Sequence, residues 1–173
     1  MHRILALAAG AMIAAPAGAA LPQGAKAPQI ATVGAVGGKA FKLNLKNQLR
    51  QGPVVLYFFP AAFTKGCTLE AHAFSEAMPE FRKAGAQVIG MSADPIDKLK
   101  KFSVEECRSA FPVASATPAT VAAYDVAWKE KPGLTTRTSY VIARNGRIVM
   151  VHDELDWSQH VAKTLAAVKA LKK

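Results

Sequence analysis

The sequence predicts an α/β domain with a central mixed sheet that is flanked by helices. Two continuous apolar runs, at residues 54–59 and 88–92, are typical of strands that are buried on both faces of a sheet. A segment with helical spacing of its apolar residues follows each run, and the chain closes with a hairpin and a helix. This alternation favours a sheet that carries helices on its faces.

Turn signals and apolar spacing predict the remaining elements. Gly37-Gly38 and Asn145-Gly146 each separate two short runs with strand character, so both pairs of runs are predicted to be hairpins. In chain order, the predicted elements are strands 31–33, 41–43 and 54–59, helix 68–84, strand 88–92, helix 96–107, strand 111–113, helix 119–124, strands 138–143 and 147–152, and helix 158–171. We find no internal repeat and no low-complexity linker, so these elements form one domain.

Composition excludes several classes of protein. Of the 173 residues, 51% are hydrophobic and 20% are charged, which excludes a disordered chain. Two cysteines are too few for a disulfide-rich mini-protein, a four-thiolate zinc site or an iron–sulfur cluster, although they can form one disulfide or one redox pair. The formal net charge of +10 permits an acidic partner, but no recognition motif accompanies the lysines. We therefore expect no nucleic acid, and a solvated basic surface that would help an acidic reductase to dock.

Residues 1–20 have the layout of a secretory signal peptide. The basic pair His2 and Arg3 precedes an apolar run, and the tripeptide at residues 17–19 has the small residues that signal cleavage requires. We expect residues 21–173 to form the mature domain outside the cytoplasm, most simply in a bacterial periplasm, where disulfides persist. An uncleaved membrane anchor is the alternative, but the run is rich in glycine and alanine and is broken by proline. After cleavage we expect a monomer with no stable membrane association.

Cys67 has the local setting of a reactive cysteine. It follows a predicted buried strand and lies at the start of the next helix. Unpaired N–H groups and partial positive charge at a helix N-terminus stabilise a thiolate, which is the nucleophilic form of cysteine. Strand ends of this kind are also where ligands bind in α/β sheets. An inert, buried cysteine is the alternative, but Lys65 and Gly66 are not typical of a core.

The residues before Cys67 resemble the active-site signature of the peroxiredoxins, which here is Pro60-x-x-x-Thr64-x-x-Cys67. Residues 59–70 are similar to the Q-type branch of that family, the branch of the bacterioferritin comigratory proteins. The resemblance extends from the first hairpin to the C-terminal helix. It implies a thioredoxin-like fold and an antioxidant enzyme of cell redox homeostasis, which reduces hydrogen peroxide or organic hydroperoxides with a peroxidatic cysteine.

The resemblance also implies a role for each residue of the signature. Cys67 is the peroxidatic cysteine, Thr64 hydrogen-bonds the peroxide, and Pro60 shields the thiolate. Arg137 precedes the predicted strand 138–143 and matches the family's arginine, whose permanent charge and several donors suit a thiolate and a developing oxyanion. The simpler alternatives are that Thr64 is an N-cap residue and that Arg137 forms a surface salt bridge.

Glu70 lies three residues after Cys67, which places both on one face of the helix. An ion pair with Arg137 would orient the guanidinium toward Cys67. A favourable interaction between a carboxylate and a helix N-terminus is an equally adequate explanation of this residue.

Cys107 is the candidate resolving cysteine. Attack on a peroxide leaves Cys67 as a sulfenic acid, which must condense with a thiol or be oxidised further. Many Q-type members carry the resolving cysteine five residues after the peroxidatic one, where this chain has His72; others carry it in the following helix, where this chain has Cys107. The resemblance therefore implies a catalytic Cys67–Cys107 disulfide that forms after local unwinding. A permanent structural disulfide and a free Cys107 with an external resolving thiol remain open.

We expect neither a metal nor a cofactor. His72, His152 and His160 lack the spacing of metal ligands, and no nucleotide fingerprint is present. Electrons then come from an external dithiol, either a thioredoxin-like protein or another thiol source. Two other functions are considered: a thiol-disulfide oxidoreductase, which the absence of a C-x-x-C motif opposes, and a non-enzymatic binding or chaperone module.

Overall fold

A computed structural model describes residues 20–171. The helices and strands in chain order are β1 Ala31–Val36, β2 Lys39–Asn44, α1 Leu45–Gln51, β3 Val54–Phe58, α2 Lys65–Lys83, β4 Gln87–Ser92, α3 Ile96–Glu105, β5 Val113–Ser115, α4 Pro118–Ala123, β6 Thr138–Ile142, β7 Ile148–Asp153, a 3-10 helix Trp157–Gln159 and α5 His160–Ala170. The strands form one sheet in the order β2-β1-β5-β4-β3-β6-β7. Strands β3, β4 and β5 are parallel, and the other pairings are antiparallel, so the predicted mixed sheet is confirmed.

Strand β3 is the centre of the core, and all five of its residues are buried. Because successive side chains of a strand point to opposite faces, this continuous apolar run supplies both sides of the sheet. On one face, Tyr57 stacks on Phe74 of α2 with ring centroids 4.4 Å apart. On the other face, Phe58 packs against Tyr124, with centroids 5.3 Å apart. Helices α2, α3 and α5 cover the first face, and α1 and α4 contribute to the second.

The strand pairings define two edges of the sheet. Phe58, the last residue of β3, is paired with Met91 near the end of β4 and with Thr138 at the start of β6. We call this the Cys67 edge, because α2 begins just beyond it. The opposite edge is where β3 begins and β6 ends.

Two elements differ from the sequence-based prediction at this level. Helix α1 was not predicted; it spans only seven residues, and its one clear signal is Asn44, whose side chain accepts a hydrogen bond from the N–H of Asn47 at 3.2 Å. Strand β5 begins at Val113 rather than at residue 111. Pro112 precedes it and has no N–H to donate into the strand ladder.

Two helix ends also differ from the predicted ones. Helix α3 ends at Glu105, and Cys107 lies in the turn that follows, where its N–H donates to the carbonyl of Phe102 at 3.0 Å. Helix α5 begins at His160, after a 3-10 turn that the carboxylate of Asp156 caps. The remaining predicted strands and helices are present with ends that move by at most a few residues.

The predicted signal peptide, residues 1–20, lies outside the described residues apart from Ala20. In the part of the chain that is described, no helix has the length and apolar character needed to cross a membrane.

Candidate active site

The loop between β3 and α2 places Cys67 in the first turn of α2. The helix begins at Lys65, and the N–H of Thr68 donates to the carbonyl of Thr64 at 2.9 Å. Phe63, within the loop, has a φ of 67°, a left-handed backbone conformation that residues other than glycine rarely adopt. The Cys67 side chain is 1% exposed, so the thiol lies under the loop rather than on the surface.

Arg137 connects the thiol to the rest of the site. It precedes β6 at the Cys67 edge, and its Nη2 atom donates to Sγ of Cys67 at 3.4 Å. Its Nη1 atom donates to Oε2 of Glu70, and its Nε atom donates to the carbonyl of Leu155 at 2.8 Å. Three donor atoms on three different partners fix the plane of the guanidinium. The predicted residues Cys67, Glu70 and Arg137 are therefore brought together.

Glu70 is completely buried beneath Arg137. Burial raises the pKa of Glu70 to about 8, although the charge and the hydrogen bond of Arg137 act to lower it. The carboxyl therefore binds a proton more readily than an exposed one does, and Oε2 accepts from Nη1 of Arg137. Within residues 20–171 the other oxygen, Oε1, has no hydrogen-bond partner. The hydrogen bond from Arg137 to Glu70 orients the guanidinium toward Cys67.

His160 lies behind Glu70, with Nδ1 at 3.8 Å from Oε1. Its Nε2 atom is 2.9 Å from the carbonyl of Glu154, which can only accept, so Nε2 carries the proton. The Nδ1 atom then accepts from the hydroxyl of Ser139 at 2.8 Å. Burial lowers the pKa of His160 to about 4, so the ring is neutral at physiological pH and contributes no second cation to Glu70.

Thr64 and Pro60 lie in the loop between β3 and α2. Thr64 is the N-cap residue of α2, but its hydroxyl makes no capping hydrogen bond and instead donates to the carbonyl of Ala61 at 2.9 Å. Its exposed oxygen can therefore still accept a proton from a ligand. Pro60 is buried and has no N–H group.

Asp94 also holds the active-site loop, and the sequence analysis missed it. Its Oδ2 atom accepts from the N–H of Ala62 and from the hydroxyl of Ser92, both at 2.7 Å, and its Oδ1 atom accepts from Lys98 at 2.7 Å. Partial burial acts to raise the pKa of Asp94, but these hydrogen bonds and the charge of Lys98 lower it overall. The one available signal was its position just after β4, at the same sheet edge as Cys67.

Cys107 is packed away from this site. Its carbonyl accepts from the hydroxyl of Ser75 at 2.9 Å, and the adjacent Glu106 pairs with His72 of α2 at 2.7 Å. Burial raises the pKa of Cys107, with a contribution from Glu106, so the thiol is protonated. Ser75 lies eight residues beyond Cys67, which corresponds to a rise of roughly 12 Å along α2. Both cysteines are free thiols in this structure.

The histidines do not converge on a metal site. His72 pairs with Glu106, while His152 stacks on His160 with ring centroids 4.5 Å apart. Across residues 20–171, no three His, Cys, Asp or Glu side chains are grouped so that they could hold a metal ion.

Comparisons with known proteins agree with this geometry. The sequence profile described as the AhpC/TSA family matches residues 23–151. Peroxiredoxin Bcp of Xanthomonas campestris is 34% identical over 125 residues, which are 68% of this chain and 76% of that protein. Peroxiredoxin Bcp of Escherichia coli is 35% identical over 113 residues, or 62% and 72% of the two chains.

Solved structures show the same fold. The crystal structure of peroxidoxin BcpB from Mycobacterium tuberculosis superposes with a TM-score of 0.78 at 31% identity, and covers 87% of this chain and 98% of its own. A structure of the Xanthomonas campestris bacterioferritin comigratory protein, solved to study its alkyl peroxide reduction, has a TM-score of 0.71 at 29% identity. It covers 82% of this chain and 92% of its own. The expected thioredoxin-like fold is confirmed.

Replacing Glu70 with glutamine is expected to reduce the pH dependence of the free energy of unfolding. The carboxyl has an ordinary pKa of 4.5 in the unfolded chain and a pKa of about 8 in the folded protein. Between these pH values the folded state binds the extra proton, so each unit of rising pH favours unfolding by up to about 1.4 kcal/mol. The proton's contribution is fully present below pH 4.5 and is lost as the pH rises through about 8.

Urea denaturation of the wild type and of Glu70→Gln at a series of pH values measures this difference. Glu76→Gln makes the same chemical change at an exposed position of the same helix and serves as the control. Parallel pH profiles of the unfolding free energy for the wild type and Glu70→Gln would contradict the raised pKa of Glu70.

Proposed function

This chain belongs to the AhpC/TSA family and is a thiol-dependent peroxidase, and we propose that Cys67 is the residue that attacks the peroxide. The observation that carries this assignment is the hydrogen bond from Arg137 to Sγ of Cys67. Arg137 is a buried cation that contacts both Oε2 of Glu70 and Sγ of Cys67. Its charge and its N–H donor are placed to stabilise negative charge on the sulfur when Cys67 reacts.

The reaction follows from this arrangement. The thiolate sulfur attacks the terminal oxygen of the hydroperoxide, so a sulfur–oxygen bond forms while the oxygen–oxygen bond breaks. Cys67 becomes a sulfenic acid, and the departing alkoxide or hydroxide takes a proton to leave as an alcohol or water. We assign to Arg137 the stabilisation of the charge on the departing oxygen, and to Thr64 a hydrogen bond from the incoming peroxide to its hydroxyl oxygen. Pro60 shields the thiolate from above.

We further propose that Cys107 resolves the sulfenic acid. A disulfide requires the two Cα atoms to approach within about 7 Å, whereas Cys107 is hydrogen-bonded to Ser75, which lies about 12 Å along α2 from Cys67. The segment after α3 must therefore open first. Side chains of α2 hold this segment through the Ser75 hydrogen bond, the His72–Glu106 and Glu76–Arg108 pairs, and the hydrogen bond from Arg82 to the carbonyl of Ala110. The backbone of the segment has positive φ at Arg108 and Ser109, which favours its rearrangement. Once released into water, the thiol can ionise and attack the sulfenic sulfur, and water leaves.

The disulfide is then reduced by an external dithiol, for which we propose a thioredoxin-like protein. Peroxiredoxins act on a peroxide with a thiol reductant, and the absence of a C-x-x-C motif from the sequence means that this chain does not supply a dithiol of that type itself. The layout of residues 1–20 supports export to a periplasm, where the reductant must then also reside. We propose that the exported enzyme acts as a monomer without stable membrane association.

Substitution of Arg137 is expected to slow the reaction with peroxide. In Arg137→Lys, a single ammonium cannot reach both Cys67 and Glu70, and kcat/KM for peroxide consumption should fall by about 100-fold to 1,000-fold. Cys67→Ser should abolish turnover. Arg144→Lys makes the same change at the opposite edge and should leave kcat/KM unaltered. An Arg137→Lys enzyme within threefold of wild type would exclude the proposed role.

The fate of Cys67 after one equivalent of peroxide tests the role of Cys107. Mass spectrometry of the non-reduced wild type should show a loss of two hydrogens and a Cys67–Cys107 disulfide, whereas Cys107→Ser should gain one oxygen on Cys67. A wild-type enzyme that accumulates a stable sulfenic or sulfinic acid at Cys67, with Cys107 intact, argues against the resolving role.

The N-terminus of the protein from the periplasmic fraction tests export. Edman sequencing should begin after Ala19 or Ala20, as the small residues there predict. Protein that begins at Met1, or protein confined to the cytoplasm, contradicts the proposal.

A further inference from the structure

A groove at the opposite edge of the sheet is lined by cations. It has a volume of about 620 Å³ and lies between α1, the segment before β1, and the turn that joins β6 to β7. We call it the basic groove. Its charged residues are Lys26, Lys46, Arg50 and Arg144, and the other residues that line it are Gln29, Leu49, Asn145 and Gly146.

The basic groove contains no counter-charge. None of the residues that line it is acidic, and among residues 20–171 none of its four cations forms an ion pair with a carboxylate. Elsewhere on this protein, exposed cations do have such partners: Lys100 pairs with Asp97 and Lys169 pairs with Glu80. What distinguishes the groove is that four cations, unpaired within the described part of the chain, line one cavity with no acidic residue among its lining.

The fold holds these cations close together. A hydrogen bond from Nη2 of Arg144 to the carbonyl of Arg50, at 2.8 Å, joins the β6–β7 turn to α1. The turn itself is fixed by Gly146, whose φ of 81° is left-handed, and by the side chain of Asn145, which accepts from the N–H of Arg147 at 3.0 Å. One donor atom of Arg144 is used in this way, and its other donors are available to a ligand.

We propose that the basic groove binds a ligand that carries two or more phosphate groups. Like charges that share a groove repel one another, and a multiply charged anion removes that repulsion. A single phosphate is too small to fill the groove and to contact all four cations. The guanidinium of an arginine donates two parallel hydrogen bonds to phosphate oxygens, and the ammonium of a lysine attracts the phosphate by its charge. Two sources have this chemistry: a free oligophosphate and, through reversible contact only, the phosphate headgroups of an anionic lipid surface.

The position of the basic groove separates it from peroxide chemistry. It lies where β3 begins and β6 ends, whereas Cys67 lies beyond the end of β3. An acidic reductant that docked in the groove could not reach Cys67 at the same time. A bound ligand would likewise leave the Cys67 edge open to solvent and substrate.

Calorimetric titration of the full-length mature protein with inorganic tripolyphosphate tests the proposal. We expect saturable binding at one site that weakens as sodium chloride is increased. The double variant Lys46→Gln/Arg144→Gln should weaken binding by about tenfold or more, since each substitution removes a charge-assisted contact. Lys39→Gln/Lys101→Gln removes the same charge from β2 and α3, outside the basic groove, and should bind as the wild type does. Unchanged peroxidase activity shows that each variant is folded.

Cosedimentation with vesicles identifies the source of the phosphates. Binding of tripolyphosphate without binding to vesicles assigns a free oligophosphate. Binding to phosphatidylglycerol-containing vesicles, but not to phosphatidylcholine vesicles, assigns a lipid surface if the groove variant loses it. The proposal is overturned if neither probe binds saturably, or if the control variant loses as much affinity as the groove variant.

Discussion

The guanidinium of Arg137 and the carboxyl of Glu70 meet inside the protein, next to the thiol of Cys67, and the geometry of the site depends on that contact. Three separate features of the fold bring the partners together. The antiparallel register of β3 and β6 sets Arg137 beside the residue that follows Phe58. The first turn of α2 places Cys67 and Glu70 on one face, and Leu155 supplies a carbonyl to Nε of the arginine. An interior cation is costly, and function rather than stability explains why it is retained.

The parts of the fold that sequence predicts best are those encoded by local patterns. Strands β3 and β4 follow from uninterrupted apolar runs, and the β6–β7 hairpin follows from Asn145-Gly146. Cys67 could be placed at a helix start for the same reason. Contacts between distant segments carry no such local signal. Two such contacts form only when the sheet has formed: the hydrogen bond from the N–H of Ala62 to Asp94, and the contact of His160 with Glu70. The hydrogen bond between Ser75 of α2 and the carbonyl of Cys107 is likewise a contact between distant segments.

The positive charge of the protein is distributed unevenly. Near the Cys67 edge, Arg137 contacts Glu70 and Cys67, and Lys98 contacts Asp94. At the opposite edge the cations of the basic groove have none in the part of the chain described. Net charge alone could not distinguish these regions, because the formal value of +10 counts both equally. One edge uses charge to organise a reaction, and the other leaves it free for solvent or a ligand.

The hydrogen bond between Ser75 and the carbonyl of Cys107 affects how the enzyme responds to a high concentration of peroxide. If Cys107 resolves the sulfenic acid, the waiting time before resolution is the time that the segment after α3 takes to open, which is a property of the fold and not of peroxide concentration. A second peroxide competes with that opening, and its rate rises in proportion to its concentration. Above some threshold the second oxidation wins, and Cys67 is converted to a sulfinic acid. If Cys107 has this role, the stability of the segment after α3 sets the oxidant dose at which the peroxidase inactivates itself.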